Sequence, residues 1–319
     1  MTPTTQTIFE KFEIRKSKKQ KNDFAEYVSS VATAEGYACH TEKGYFGARN
    51  IVVGNPDTAR VVYTAHYDTC ARMPFPNFIT PKCIWIYLLY QILLTVILLA
   101  VPSLLLVALV YLGLYISPLI FWSALAIAWD FHLWYWFVLF ELILMMAGPA
   151  NKHTANDNTS GVTTLLDIMT SLPEELRGDV AFIFFDLEEM GLFGSAGYAS
   201  KHKTIMKNTL LINFDCVSDG NTILFALRKG ATRYTEAIKA AFPSTDTLSV
   251  EVASKGVFYP SDQANFARGV GVAALKKSKH GLLYMDRIHT KRDTVYEEEN
   301  IAYLTDGAVR LAQFLHTPA

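Results

Sequence analysis

Residues 84–147 carry Asp130, His132 and Glu141 as their only charged or imidazole side chains. A bilayer-crossing helix needs about 20 apolar residues. The block therefore has room for two generous spans, or three very tight ones. Pro102, Gly113, Ser117 and Pro118 mark the turn region. Hydrophobic residues make up 51% of the 319-residue chain, more than a soluble enzyme needs, and this block concentrates the excess.

Both flanks have soluble patterning. Phe24, Tyr27, Val28 and Val31 recur at helical spacing over 21–35, and Gly36 ends the run. Residues 50–53 and 60–65 read as strands across the turn Gly54-Asn55-Pro56-Asp57. After the block, helices are expected over 159–171, 232–241 and 297–315, with strands over 180–186, 210–215 and 270–275. Alternating strands and helices predict a mainly parallel sheet covered by helices on both faces. A net charge of -1 argues against a nucleic-acid partner. Cys39, Cys70, Cys83 and Cys216 form no CxxC and no ladder of spacings, which suits a reducing compartment. The basic, polar N-terminus has no apolar core of a signal peptide, so the chain is expected to start in the cytosol.

Five segments hold the candidate metal-binding residues, each at a strand end or the turn after it, where α/β sheets bind ligands. In Tyr63-Thr64-Ala65-His66-Tyr67-Asp68, residues two apart face one side, so Asp68 can orient a ligating His66. In Ala155-Asn156-Asp157-Asn158, Asp157 is either a helix cap or, with its two oxygens, a bridge between cations. Glu188 and Glu189 follow an apolar strand, where adjacent carboxylates are costly unless something positive meets them. Asp215 closes Asn213-Phe214-Asp215, and His289 opens His289-Thr290-Lys291-Arg292-Asp293-Thr294. Carboxylates mixed with imidazole suit zinc or a similar divalent ion. Five ligands, one of them bridging, would make paired sites of the kind that two-metal hydrolases use, with ions about 3.5–4 Å apart.

Taken in order, HYD, ANDNTSG, EEMGLFGS, NFD and HTKRDT resemble the two-zinc aminopeptidase family of bacterial leucyl aminopeptidase and aminopeptidase Y, which has glutamate carboxypeptidase and glutaminyl cyclase as relatives. The resemblance spans residues 20–81 and 149–317 and skips the apolar block. It implies a three-layer α/β/α zinc-exopeptidase fold with a mainly parallel mixed sheet. It also implies two Zn2+ or other divalent ions, with His66 and Asp215 on one, Glu189 and His289 on the other, and Asp157 bridging. Asp68 would orient His66, and Glu188 would be the general base that deprotonates a metal-held water. Ser261-Asp262 resembles the family's SDH segment near the substrate pocket, with Gln263 where the family has histidine. Tyr259 is placed as a partner for the scissile carbonyl oxygen.

The expected organisation is a discontinuous catalytic domain, 1–81 with 149–319, interrupted by an inserted hydrophobic hairpin, 82–148. The strand before the block and the helix after it must reach one active site, so the number of crossings is even, with spans expected at Ile84–Leu105 and Leu119–Met146. Arg72, Lys82 and Lys152 flank the block and its tip carries no Lys or Arg, so the positive-inside rule puts the catalytic domain in the cytosol. Trp85, Tyr87, Tyr111, Tyr115 and Trp122 suit interfacial belts, whereas Trp129, Trp134 and Trp136 lie deeper. The hairpin could also mediate a homo-oligomer. Asp130 and Glu141 are expensive in lipid and are expected to face each other, a partner or an interface. The implied activity is hydrolysis of a peptide substrate by a membrane-tethered aminopeptidase. The alternatives are a glutaminyl-cyclase-like acyltransferase, a non-catalytic binding relative, or a transporter built on the apolar block.

Overall fold

The computed structural model describes residues 1–117, 122–123, 126, 133–203 and 207–316. Two compact units divide the chain: Met1–Ile84 with Ala150–Ala319, and Trp85–Pro149.

The first unit is built on one mixed sheet. Its strands are β1 (Cys39–Lys43), β2 (Arg49–Val53), β3 (Val61–His66), β4 (Val180–Phe185), β5 (Leu210–Phe214), β6 (Thr222–Leu227), β7 (Ser249–Ala253), β8 (Gly269–Lys277) and β9 (Leu283–Tyr284). The spatial order is β1-β2-β4-β3-β5-β8-β6-β7, with β9 beside β8. In the centre, β3 runs parallel to β4 and β5, and β5 parallel to β8. Pairings β1–β2, β2–β4 and β6–β8 are antiparallel. Every residue of β3, β4 and β5 is buried, as expected of parallel strands covered on both faces.

Alternation along these strands divides the core in two. Tyr63, Phe182, Phe184, Ile212 and Phe214 face a core shared with the helices Gly161–Ser171 and Glu298–His316. Val62, Ala181, Ile183, Phe185 and Leu211 face a second core containing Tyr198 of the helix Phe193–Lys201. The central strands are therefore sandwiched between helical layers. The N-terminal helix Lys18–Ala34 joins the first core through Phe24 and Val28. Ser17 and Gln20 cap it reciprocally, which starts it three residues ahead of its apolar periodicity. From this helix Lys21 Nζ reaches Asp186 Oδ1 at 2.5 Å, with both side chains buried. Asp186 also accepts from Arg49 N and Leu187 N, each at 3.0 Å. Losing one partner of such a buried pair typically costs about 3–5 kcal/mol, so this contact anchors the end of β4, two residues before Glu188.

Several elements lie outside the sequence expectation: β1, β6, β7 and the helices Pro3–Lys11 and Phe193–Lys201. The last holds two glycines and little apolar periodicity, and packing stabilises it. A Cβ on Gly194 would sit 2.1 Å from Asp186 O, so only glycine allows the helix to lie this close to the end of β4.

The second unit contains the helices Ile84–Ile116 and Leu133–Ala147. The first corrects an expectation: it continues eleven residues past Leu105, with Pro102 and Gly113 inside it rather than in a turn. Proline removes one backbone donor, but an apolar segment has nowhere better to place its remaining donors and acceptors than in the helix. The few hydroxyls follow the same logic. Thr95 Oγ1 donates to Gln91 O and Ser103 Oγ to Leu99 O, each at 2.8 Å. Within Ile84–Gly113 an 18-residue stretch has a mean hydropathy of 2.9 with only 6% of it buried, and Trp85, Leu89, Leu104 and Tyr111 are all turned outward. A helix apolar on every side and this exposed is long enough to cross a membrane. Of the expected second span, residues 119–121, 124–125 and 127–132, Asp130 included, lie outside the described residues. Trp134 Nε1 donates to Ser103 Oγ at 3.1 Å within this unit.

Candidate active site

The parallel register of β3, β4 and β5 brings their C-terminal ends to one edge of the sheet. His66 is the last residue of β3, and Asp68 follows two residues on. Glu188 and Glu189 follow β4, and Asp215 follows β5. Asp157 lies in the turn Ala155–Ser160 that opens the helix Gly161–Ser171. His289 comes from the loop between β9 and the C-terminal helix.

These side chains converge. His66 Nε2 lies 3.3 Å from Asp157 Oδ1 and 3.5 Å from Asp215 Oδ1. His289 Nε2 lies 3.2 Å from Asp157 Oδ2 and 3.2 Å from Glu189 Oε2. The two oxygens of Asp157 thus serve opposite halves of one cluster. A cavity of about 280 Å³ opens onto it, lined also by Glu188, Ile79, Leu192, Tyr259 and Ile288. Larger hollows of about 370 and 570 Å³ elsewhere on this unit have no histidine in their walls.

Asp68 does more than its expected task. Its Oδ1 is 3.5 Å from His66 Nδ1, but its hydrogen bonds are to main-chain donors: Glu188 N at 3.1 Å and Glu189 N at 3.2 Å. It therefore holds the turn that presents both glutamates. Asp293 plays the equivalent part for Asp157, accepting from Asn156 N at 2.9 Å and Asp157 N at 3.0 Å. Asn156 Oδ1 accepts from Ser218 N and Asp219 N, and Asn158 Oδ1 accepts from Gly161 N and Cys216 N. These asparagines tie the Asp157 turn to the chain leaving β5. A Cβ on Gly161 would meet Phe214 O at 2.3 Å, so the two segments pack backbone to backbone. Leu187, Leu192, Cys216 and His289 all have positive φ, a conformation that costs non-glycine residues energy and gathers at functional sites.

The charge balance is lopsided. Asp68, Asp157, Asp215 and Asp262 are buried, and Glu188 and Glu189 line the same cavity with little exposure. The imidazoles of His66 and His289 are the basic groups inside the cluster, and Arg15 and Lys16 act on its acids from behind. Burial drives the Glu188 and Glu189 carboxyls well above the usual carboxylate range, and the neighbouring carboxylates add to it. Burial opposes the charged form of His66, yet the Glu188 charge and contacts with Asp157, Asp215 and Asp68 outweigh it and raise the imidazole. Burial and the Asp157 charge lift Asp293 to about 8. Glu189 Oε1 and His66 Nδ1 are buried without a hydrogen-bond partner among the described residues. Such a cluster fits cations: His66, Asp157 and Asp215 offer ligand atoms within 4.8 Å of one another, and so do Asp157, Glu189 and His289.

Of the two expected substrate-side residues, one reaches the cavity and the other lies behind it. Tyr259 lines it, and its hydroxyl donates to Asp215 O at 2.9 Å. Asp262 is fully buried, and burial raises its carboxyl to about 7. Gln263 is a framework residue. Its Nε2 donates to Tyr259 O at 2.7 Å and its Oε1 accepts from Asn213 Nδ2 at 3.2 Å. Asn156, Asn158, Asp293 and Cys70 were missed by the sequence reading as parts of the site. Three of them sit inside the quoted motifs, and Cys70 continues the two-residue spacing of His66 and Asp68.

Comparison with known proteins agrees with this architecture. No curated protein matches the sequence. The LapA aminopeptidase of Legionella pneumophila superposes with a TM-score of 0.57 at 13% identity, over 99% of this chain and 68% of that one. Porphyromonas gingivalis glutaminyl cyclase gives 0.57 at 15% identity, over 98% of this chain and 96% of its own. A leucine aminopeptidase precursor from Bacteroides thetaiotaomicron gives 0.54 at 13%, over 97% and 94%. At such identities these likenesses speak for the fold. The family model for Peptidase family M28 matches residues 142–309, more than half of the chain and a stretch that includes Asp157, Glu188, Glu189, Asp215 and His289. On that match, and on the fold it shares with those structures, the chain belongs to peptidase family M28.

Proposed function

We propose that this chain is a membrane-tethered two-metal exopeptidase, an aminopeptidase by first preference. The observation that carries the reading is the division of Asp157 between His66 with Asp215 on one side and His289 with Glu189 on the other. His66, Asp157 and Asp215 would hold one divalent ion, and Asp157, Glu189 and His289 a second. Bound zinc would supply Lewis-acid polarisation of the scissile carbonyl and acidification of the attacking water. The chain's own groups do the rest. Glu188, on the cavity wall, takes the water proton on its carboxylate and delivers it to the leaving amine. Asp68 keeps Glu188 and Glu189 in register through their main-chain amides. Ile79, Leu192 and Ile288 offer an apolar wall for the substrate's first side chain. Tyr259 lines that pocket as a substrate-side residue, and Asp262 is buried behind it.

The zinc-loaded full chain is expected to release nitroaniline from leucyl-p-nitroanilide, to stop after chelation and to resume on adding zinc. Undiminished hydrolysis in the chelated protein would overturn the metal reading. Cyclisation of glutaminyl peptides without hydrolysis would move the assignment to chemistry of the glutaminyl cyclase kind.

Tethering is supported by the exposed apolar helix Ile84–Ile116. Arg72, Lys82 and Lys152 beside a block lacking Lys and Arg favour a cytoplasmic catalytic unit. The intact chain is expected to float with liposomes, and a chain lacking 85–149 to stay in the soluble fraction. Equal solubility of both without detergent would remove the membrane claim.

A further inference from the structure

Cys70 is buried at 1% exposure, and its Sγ makes no hydrogen bond among the described residues. A buried thiol usually behaves as a small apolar group and packs against other apolar groups. This one faces acids and an imidazole: its sulfur and one ligand atom each from Asp157, Glu189 and His289 all lie within 4.8 Å of one another. Glu189 supplies an independent sign of a missing ligand. Its side chain is 7% exposed, and its Oε1 has no hydrogen-bond partner among the described residues. The backbone around Cys70 is held by hydrogen bonds. Its carbonyl accepts from Asn151 N at 3.0 Å, and the preceding Thr69 Oγ1 accepts from Arg15 N at 2.8 Å. The loop carrying His289 is tied to the same segment, because Met73 N donates to His289 O at 2.7 Å and Asn151 Nδ2 to Thr290 O at 3.0 Å. The segments carrying Cys70 and His289 are thus tied to each other.

We infer that Cys70 is a fourth protein ligand, a thiolate, to the ion shared by Asp157, Glu189 and His289. The inference rests on the two-metal reading above. Sulfur, two carboxylate oxygens and an imidazole nitrogen would supply four donors, the number of the closed coordination typical of tightly held zinc. On binding, the thiol proton leaves to solvent and the sulfur lone pair forms the bond to the ion. The consequence is a division of labour. The Cys70 half becomes a closed, sulfur-containing site that favours zinc or cadmium over manganese or magnesium. The half held by His66, Asp157 and Asp215 keeps an open position for substrate.

The test is spectroscopic and uses the full chain. Loaded with cobalt(II), the protein is expected to show a thiolate-to-cobalt charge-transfer band in the near ultraviolet. Cys70→Ser is expected to lose this band and Cys216→Ser to retain it. X-ray absorption of the zinc-loaded Cys216→Ser protein gives the same answer without touching Cys70: a sulfur scatterer at about 2.3 Å is expected. A zinc shell of nitrogen and oxygen alone, or a cobalt band that survives Cys70→Ser, overturns the assignment. The two readings fail separately. A chain that takes up no cobalt or zinc loses the two-metal proposal and this one with it. A chain that binds both ions and cleaves peptides with no sulfur on either loses only the role of Cys70.

Discussion

Glu188→Gln is expected to bind its metal ions as the parent does and to hydrolyse peptides about 10²–10⁴-fold more slowly, the usual contribution of a positioned proton carrier. Glutamine keeps the size and the hydrogen-bonding reach of the side chain but cannot take a proton at neutral pH. The main-chain N–H of residue 188 would still donate to Asp68, so the turn presenting Glu189 should be unmoved. Metal analysis of the purified variant, with kcat and KM measured on the same preparation, separates the alternatives. Full metal with kcat reduced and KM little changed fits a proton carrier. A variant with full metal and parental kcat would remove Glu188 from the mechanism. One that loses metal would instead make Glu188 a part of the binding site.

Asp157→Asn is expected to cost one of the two ions and most of the activity. Each carboxylate oxygen of Asp157 faces a different histidine, at 3.3 and 3.2 Å. The amide that replaces it has one acceptor oxygen and one NH2 group, which cannot ligate a cation. One half-site must therefore lose a ligand, whichever way the amide turns. The affinity of that half should fall by more than the roughly 10–100-fold seen when a mere supporting partner of a ligand is removed. The fold should survive, since the polar framework of this turn runs through Asn156, Asn158 and the main-chain amides held by Asp293. Calorimetric titration with zinc is expected to show one tight site in the variant against two in the parent. Two undiminished sites would mean that Asp157 does not bridge.

Much of the catalytic unit was legible as a pattern. The apolar runs over 180–186 and 210–215 became β4 and β5 because strands covered on both faces have no polar side to show. The closing amphipathic segment became Glu298–His316 because its period matches one apolar stripe. The misses have a common cause. Phe193–Lys201 is held by close packing that its glycines permit, and its sequence carries little helical signal. The helix runs on through Pro102 because its own apolar side chains leave the backbone groups no better partners than one another.

By itself, the sequence determined which chemistry was available: the acids and imidazoles at strand ends, the long apolar block, and the order of helices and strands, all of which depend on side-chain identity and short-range spacing. Tertiary structure alone decided which of those groups meet. The placement of β3 between β4 and β5 sets His66 near Glu188 and Asp215, although more than a hundred residues separate them along the chain. It also decided that Asp68 and Asp293 grip main-chain amides, and that a cysteine without a recognisable motif stands beside Glu189 and His289. Distances of 3 to 4 Å between remote residues follow from sheet register and loop ties, and no local pattern encodes them.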